Sequence, residues 1–233
     1  MPARNFRRYD YANGEALASA LAALVAGKLN AAVNARGAAT LAVSGGSTPG
    51  RFFETLSATD VDWSNVTVTP VDERFVPESS ERSNARLIRA KLLKGPAAAA
   101  RFVPLFQPDM DADAAARAAD DHIGRLGLPL DAAILGMGAD GHTASFFPDA
   151  SGIDALLDPQ AEDLVAPVHA ASAGEARLTL TLPALAAARL LVLHIEGAEK
   201  AATLEKALAP GSTLPIRRVI DAAETPVEIF WAA

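Results

Sequence analysis

Residues 38–52, AATLAVSGGSTPGRF, join a short apolar run to two glycines, two hydroxyl residues and a proline. A short apolar run that is bounded by glycine is typical of a buried β-strand. Pro49 stands where the first position of a helix is expected, because that position does not need an N–H group, and Ser47 and Thr48 are candidate caps. The stretch therefore predicts a strand over 38–43 and a helix over 49–57.

The two glycines between that strand and that helix have two interpretations. Gly45 and Gly46 can adopt positive φ angles and leave backbone N–H groups uncovered, and a helix N-terminus follows them. This combination binds anions, phosphate above all. The alternative is a tight turn with Ser47 as a cap, and the stretch alone leaves both interpretations open.

Outward from this stretch, short apolar runs alternate with amphipathic segments. The alternation predicts an α/β fold, a mostly parallel sheet with helices on both faces, in one domain over residues 1–233. Pro70 is awkward within a central strand and suggests a bulge or an edge. Residues 145–185 are expected to form a smaller, less regular flap. Besides the segments above, the predicted helices are 14–35, 81–93, 111–127 and 197–209, and the predicted strands are 66–73, 131–138, 190–197 and 227–232.

Composition excludes several classes of function. The chain has 233 residues, half of them hydrophobic, and a formal net charge of −7. An acidic chain lacks the basic face that nucleic-acid binding requires, so no nucleic-acid partner is expected. A local cluster of Arg and Lys can still bind a small anion. Cysteine is absent, which excludes disulfides, thiol catalysis and thiolate metal sites.

The N-terminal residues 1–18, MPARNFRRYDYANGEALA, are basic but contain no continuous apolar segment and no cleavage-like site. No continuous run of about 18 apolar residues occurs in the chain. We therefore expect a cytoplasmic protein without a membrane partner.

Four polar stretches follow predicted strands directly. They are SGGSTP (44–49), DER (72–74), GMGADGHTAS (136–145) and GAEK (197–200). In parallel sheets, ligands bind at the carboxyl ends of the strands, near a reversal of strand order. The four loops are therefore expected to converge on one rim.

Three basic residues near this rim are candidates for binding an anion. Arg74 offers a forked donor suited to phosphate or carboxylate. Lys200 stands at a probable helix start, where it can reach a phosphate, and Arg177 precedes the apolar run LTLTLP. Each of them also has an ordinary interpretation as a surface charge. Ser83 and Asn84, at the start of the next helix, have the pattern of helix caps.

The stretch GMGADGHTASFFP (136–148) contains G-x-G-x-x-G, the dinucleotide-binding pattern, but the match is rejected. Asp140 would face a pyrophosphate, and Pro148 ends the helix that the pattern requires. What remains is His142 beside Asp140 on a glycine-rich turn. Histidine is the usual proton acceptor near neutral pH, and a carboxylate can orient it. Ser145 suggests a Ser-His-Asp arrangement, but the nucleophile-elbow pattern G-x-S-x-G is absent.

The other histidines carry weaker signals. His122 is expected on a helix surface and His194 in the core, whereas the role of His169 stays open. No spacing such as H-E-x-x-H occurs, so no metal site is predicted.

Taken in order, these motifs resemble the 6-phosphogluconolactonase family. SGGSTP, DER followed by SN, GMGADGHTASFFP, RLTLTLP (177–183) and GAEK span most of the chain. The resemblance implies a modified Rossmann-like, NagB/RpiA-like fold. The glucosamine-6-phosphate deaminases of the same superfamily carry a glutamate shortly after the histidine, and here Phe146 and Phe147 stand in that region. Pro70 and residues 186–191, AAARLL, depart from the family pattern.

The resemblance implies hydrolysis of 6-phospho-D-glucono-1,5-lactone to 6-phospho-D-gluconate in the oxidative pentose phosphate pathway, without a cofactor. His142 would be the general base and Asp140 its orienting residue. The implied substrate-binding residues are Gly45, Gly46, Ser47, Asp72, Arg74, Arg177 and Lys200. The alternatives are a glucosamine-6-phosphate deaminase or isomerase and a non-catalytic sugar-phosphate-binding module. A monomer or a small homo-oligomer is expected.

Overall fold

A computed structural model describes residues 5–233. The strands are β1 Phe6–Tyr11, β2 Ala39–Val43, β3 Val66–Pro70, β4 Asp72–Arg74, β5 Arg101–Phe102, β6 Ala132–Leu135, β7 Val165–Val168, β8 Arg177–Leu180, β9 Leu191–Glu196 and β10 Val227–Ala232. The α-helices are α1 Gly14–Arg36, α2 Gly50–Ser57, α3 Asn84–Lys91, α4 Ala112–Gly124, α5 Ile153–Leu156, α6 Leu182–Ala186, α7 Ala198–Leu208 and α8 Pro215–Ala222.

Seven strands form the main sheet in the order β1-β10-β9-β6-β2-β3-β5, and each neighbouring pair is parallel. After β2 the chain continues to β3 and β5 on one side. After β6 it continues to β9 and β10 on the other side. The strand order therefore reverses between β2 and β6, which creates a crevice at their carboxyl ends.

Helices cover both faces of this sheet, as predicted. Helices α1, α2 and α3 bury their apolar residues against one face, and α4, α6, α7 and α8 bury theirs against the other. Strand β6 contributes to both cores: Ala132 and Ile134 lie in the first, and Ala133 and Leu135 in the second. A strand covered on both sides has no polar face, which explains its uninterrupted apolar sequence.

The prediction of one strand over 66–73 is wrong, because this segment forms two strands in two sheets. β3 ends at Pro70, and β4 pairs with β8 in a separate three-stranded antiparallel sheet of order β4-β8-β7. Val71 lies between them and donates its N–H to Val43 O at 2.9 Å. The local sequence does not reveal the change of sheet, because β3 and β4 are both extended and only Val71 separates them.

Pro70 is accommodated because the neighbouring strand has already ended. Successive residues of a strand direct their N–H groups to opposite sides, so Pro70 faces the side of β5. β5 pairs with Thr67 and Val68, and its last residue is Phe102. A missing N–H group at Pro70 thus removes no bond from the ladder.

The expected flap over 145–185 is a region outside the main sheet, but it is more regular than predicted. It contains α5, β7, β8 and most of α6. Leu178 and Leu180 of β8 are buried in the core that also holds α4. The small sheet is therefore attached to the main core along one side.

The sequence predicts no membrane partner, but helix α1 is long and apolar enough to cross a membrane by length and composition alone. Its apolar side is part of the core: Leu17, Leu21, Val25 and Leu29 are completely buried. A core helix of a folded domain meets the same criteria.

Strand β1 is absent from the sequence prediction. It lies at the edge of the main sheet, where, among the described strands, it pairs with β10 alone, and its residues FRRYDY are largely polar. Its sequence therefore lacks the apolar run that marks the central strands.

Candidate active site

A cleft of about 210 Å³ lies over the carboxyl ends of the strands, next to the reversal of strand order. All four predicted loops contribute to it, and Arg177 of β8 adds a side chain from the small sheet. The residues that line it include Ser44, Gly45, Gly46, Ser47, Thr48, Pro49, Asp72, Arg74, Asn84, Gly138, His142, Phe147, Arg177, His194 and Lys200.

The loop after β2 reaches the cleft through its two glycines. A Cβ atom at Gly45 would lie 1.9 Å from Asn84 Oδ1, so only glycine fits against this side chain. Gly46 has a φ of +93°, which side chains disfavour. The expectation that Ser47 or Thr48 caps α2 is wrong: Pro49 is the N-cap residue, and it has no side-chain cap hydrogen bond.

Asp72 is a buried carboxylate on the wall of the cleft. Its Oδ2 accepts a hydrogen bond of 2.6 Å from Ser145 Oγ, and its backbone carbonyl accepts one of 2.8 Å from Asn84 Nδ2. Ser145 is completely buried, and its hydroxyl is directed to Asp72. The geometry therefore gives Ser145 a role in holding the site together, in agreement with the rejection of a serine nucleophile.

Glu73 is also completely buried, but it stabilises the fold rather than the cleft. Its carboxylate accepts hydrogen bonds of 2.7 Å from both Asn84 N and Ala85 N, and one of 3.0 Å from Ser83 Oγ. Burial raises the pKa of Glu73, and these donors oppose the rise. The carboxylate caps α3 and thereby fixes Asn84 beside Gly45.

His142 and Asp140 are paired on the loop after β6. The distance between His142 Nδ1 and Asp140 Oδ1 is 2.6 Å, and the same oxygen accepts from the backbone N–H of His142 at 3.1 Å. A carboxylate accepts hydrogen bonds only, so Nδ1 carries a proton, and in the neutral imidazole Nε2 keeps its lone pair. A Cβ atom at Gly138 would lie 2.2 Å from His142 Nδ1, so the pair requires a glycine there.

No helix begins directly after the glycines of this loop, as a dinucleotide-binding motif would require. Residues 139–150 form turns and isolated bridges instead. Phe147 packs against the imidazole of His142 with ring centroids 4.5 Å apart. Its ring also lies 5.5 Å from the guanidinium carbon of Arg177. Phe147 thus contacts both the imidazole of His142 and the guanidinium of Arg177.

Two arginines from the small sheet lie side by side at the cleft. Arg74 of β4 is the register partner of Arg177 of β8. Arg74 donates to Arg82 O, and Arg177 Nη2 donates to Ala173 O at 2.9 Å. Burial lowers the pKa of Arg177, and the charge of Arg74 lowers it further. Arg177 Nε is buried and has no hydrogen-bond partner among the described residues.

Lys200 reaches the cleft from the opposite side, in the first turn of α7. It is half-buried, and burial lowers its pKa, whereas Glu199 and Glu196 act to raise it. The cleft therefore combines a histidine–carboxylate pair with three cationic side chains that arrive from two directions.

Sequence reasoning missed three contributors. Asn84 was interpreted only as a cap, but its side chain supports both Gly45 and Asp72. His194 was expected in the core; it is 3% exposed and also lines the cleft. The position of Phe147 beside His142 had no sequence signal beyond its place in the motif.

The remaining predictions concern metals and the other histidines. Within residues 5–233, no group of three or more His, Asp or Glu side chains could hold a metal ion. His122 is exposed on α4, as predicted, and His169 is exposed outside the cleft.

Comparisons with known proteins show the family to which the chain belongs. The model of the family described as glucosamine-6-phosphate isomerases/6-phosphogluconolactonase matches residues 12–231. A 6-phosphogluconolactonase of Mesorhizobium japonicum is 55% identical over 93% of this chain and 91% of its own length. The one of Rhizobium meliloti is 52% identical over 95% and 97%.

Solved structures give the same result for the fold. The crystal structure of a 6-phosphogluconolactonase from Shewanella baltica matches with a TM-score of 0.94 and 36% identity, covering 98% of both chains. The parallel sheet, the small sheet and the rim of loops are thus features of a known fold. The chain belongs to the glucosamine-6-phosphate isomerase/6-phosphogluconolactonase family.

Proposed function

We propose that this chain is a 6-phosphogluconolactonase, which hydrolyses 6-phospho-D-glucono-1,5-lactone to 6-phospho-D-gluconate. The observation that carries the proposal is the 2.6 Å contact between His142 and Asp140 in a cleft that also holds Arg74, Arg177 and Lys200. A base beside a cluster of cations suits a substrate that has an uncharged lactone carbonyl at one end and a phosphate at the other. The names of the relatives supply the substrate class.

His142 is the general base in this proposal. Its Nε2 takes a proton from a water molecule while the water oxygen bonds to the lactone carbonyl carbon. The tetrahedral intermediate then breaks its bond to the ring oxygen, which receives the proton back from Nε2. Asp140 accepts from Nδ1 throughout, which fixes the tautomer and stabilises the imidazolium.

The phosphate is remote from the reacting carbon and supplies binding energy for positioning. We assign it to Arg74, Arg177 and Lys200, together with the backbone of Gly45, Gly46 and Ser47. Backbone N–H groups of the glycine-rich loops stabilise the oxyanion. Asp72, which already accepts from Ser145, is assigned to the sugar hydroxyl groups.

The proposed reaction is the second step of the oxidative pentose phosphate pathway and belongs with cytoplasmic metabolism. Its steps use no metal ion or cofactor. The substrate is the small-molecule partner, and the chain acts as one domain, as a monomer or a small homo-oligomer.

The test compares wild type with His142→Ala. The lactone is generated in situ from glucose 6-phosphate by its dehydrogenase, and its disappearance is followed after subtraction of spontaneous hydrolysis. We expect His142→Ala to lose about 100-fold or more in kcat, the range for removal of a general base. His122→Ala, which changes an exposed histidine on α4, is the matched control and should retain wild-type turnover.

Three results would contradict the proposal. Unchanged turnover in His142→Ala would remove this residue from the mechanism. Release of ammonia from glucosamine 6-phosphate by a wild type without lactonase activity would establish the deaminase alternative. Binding of sugar phosphates without any turnover would indicate a non-catalytic binding module.

A further inference from the structure

The carboxyl end of β9 carries a histidine–carboxylate pair that the proposed mechanism does not use. His194 Nε2 lies 3.2 Å from Glu196 Oε1. The imidazole is buried and stands edge-on to the ring of Phe52, with centroids 6.0 Å apart and an interplanar angle of 81°. His194 also lines the cleft, together with Lys200 and the loop of Gly45, Gly46 and Ser47 to which the phosphate is assigned.

The pair connects β9 with the start of α2, which follows the loop of Gly45, Gly46 and Ser47, called the glycine loop below. Glu196 Oε2 lies 3.6 Å from Arg51 Nη1, and both Arg51 and Phe52 belong to the first turn of α2. That turn directly follows the glycine loop. Glu196 and His194 therefore both contact the N-terminal end of α2.

The start of α1 is fitted closely around the same carboxylate. Gly14 is the first residue of α1 and is buried. A Cβ atom there would lie 2.2 Å from Arg51 Nη1 and 2.6 Å from Glu196 Oε2. Three elements, α1, α2 and β9, thus meet at Glu196. An ion pair with the half-exposed Arg51 contributes little on its own, so the packing of His194 against Phe52 and the close fit at Gly14 carry the connection.

Lys200 follows the pair in the same loop. Gly197, with a φ of +90°, turns the chain from β9 into α7, whose first turn contains Lys200. Burial lowers the pKa of Lys200, and the charges of Glu199 and, to a smaller extent, Glu196 oppose this effect. Burial lowers the pKa of His194, so the neutral imidazole donates Nε2–H to Glu196 and adds no competing cation.

We propose that His194 and Glu196 are positioning residues, an inference that rests on the proposed function. They keep Lys200 and the glycine loop at a constant distance and orientation, so that the phosphate is bound from two sides. Neither residue takes part in the proton transfer of His142. Their loss should therefore weaken recognition of the phosphate and leave the chemical step intact.

The experiment uses the full chain and two substrates, 6-phosphogluconolactone and the phosphate-free gluconolactone. In Glu196→Ala and in His194→Phe we expect KM for the phosphorylated lactone to rise about tenfold, with kcat within about twofold of wild type. Turnover of the phosphate-free lactone should not change. Calorimetry should show a similar loss of affinity for 6-phosphogluconate.

Two further variants sharpen the interpretation. Glu196→Gln keeps an acceptor oxygen for His194 and should restore part of the lost affinity. Glu205→Gln makes the same charge change on α7, where Glu205 pairs with Arg8 away from the cleft, and should behave as wild type. Where His194→Phe does not fold, the partly exposed Glu196 supplies the deciding variant.

Equal losses on both lactones, or an unchanged affinity for 6-phosphogluconate, would overturn the inference. The calorimetric measurement also separates it from the proposed function. If the wild-type protein has no lactonase activity, the proposed function is refuted. The effect of Glu196→Ala on the affinity for 6-phosphogluconate would still decide the positioning role.

Discussion

At the scale of single residues, Gly138 determines whether the contact between His142 and Asp140 can form. An added Cβ would lie 2.2 Å from His142 Nδ1 and 2.6 Å from Asp140 Oδ1, so the two side chains would have to separate. We expect Gly138→Ala to lower kcat about 10-fold to 100-fold, because the base loses its orienting contact. The free energy of unfolding should change by less than about 1 kcal/mol, because both side chains are half-exposed and can move.

The control for this prediction is Gly27→Ala. Gly27 lies on the exposed side of α1, and a Cβ there meets nothing within 4 Å. It should retain full activity. The kcat of both variants is measured with the coupled lactone assay. A wild-type kcat in Gly138→Ala would contradict the role given to the His142–Asp140 contact.

Lys200 gives the cleft a pH dependence. Burial lowers its pKa from the ordinary 10.5, so the folded protein loses this charge at a lower pH than an exposed lysine does. Binding of 6-phosphogluconate should therefore weaken as pH rises from about 7 to about 10. The unfolded chain keeps the proton longer, so the contribution of Lys200 to the free energy of unfolding increases with pH between the two pKa values.

Isothermal titration calorimetry at several pH values tests this prediction. Lys200→Arg keeps its charge over the whole range and should give a flatter dependence. Identical profiles for the two proteins would show that Lys200 does not control the binding of the phosphate.

At the scale of elements, α3 depends on a buried carboxylate from another strand. Glu73 accepts hydrogen bonds from the first backbone N–H groups of α3. In Glu73→Gln, the amide nitrogen cannot accept, so at least one buried donor loses its partner. We expect the free energy of unfolding in urea to fall by about 1–3 kcal/mol.

Glu78→Gln is the control for this change. Glu78 forms an exposed ion pair with Arg89, and its loss should alter the free energy of unfolding by no more than about 0.5 kcal/mol. An equally small effect in Glu73→Gln would refute the capping role.

Elements were predicted well where their own periodicity decides them. The apolar run before Ser44 and the amphipathic pattern of 14–35 correspond to β2 and α1 with shifts of one residue at their ends. The split of 66–73 was missed, because it depends on β8 pairing with Asp72–Arg74 from more than 100 residues away in the chain. Short strands such as β1 and β7 were missed for a similar reason: their neighbours, rather than their own sequence, stabilise them. Helix α8 was missed although Pro215 stands at its start and Ile216, Val219 and Ile220 have helical spacing.

At the scale of the whole molecule, ligand binding should stabilise the fold because the cleft joins both sheets. Arg74 and Arg177 belong to the small sheet, whereas the glycine loop and Lys200 follow strands of the main sheet. At 100 times its Kd, 6-phosphogluconate should add about 2.7 kcal/mol to the free energy of unfolding. The Tm should rise by about 5–10 °C, measured by scanning calorimetry.

D-Gluconate at the same concentration is the control and should raise the Tm far less, because it lacks the phosphate. Equal shifts for the two ligands would mean that the cationic residues of the cleft do not recognise the phosphate.

The sequence by itself determined the alternation of strands and helices, the glycines of the two site loops and the identity of the base candidate. These features depend on segments of a few residues, in which periodicity and φ requirements act locally. Tertiary structure decided that Asn84 supports Gly45, that Arg177 lies beside Arg74, and that His194 reaches the cleft. Such contacts join distant parts of the chain, and they depend on strand order, register and packing, which no short segment encodes.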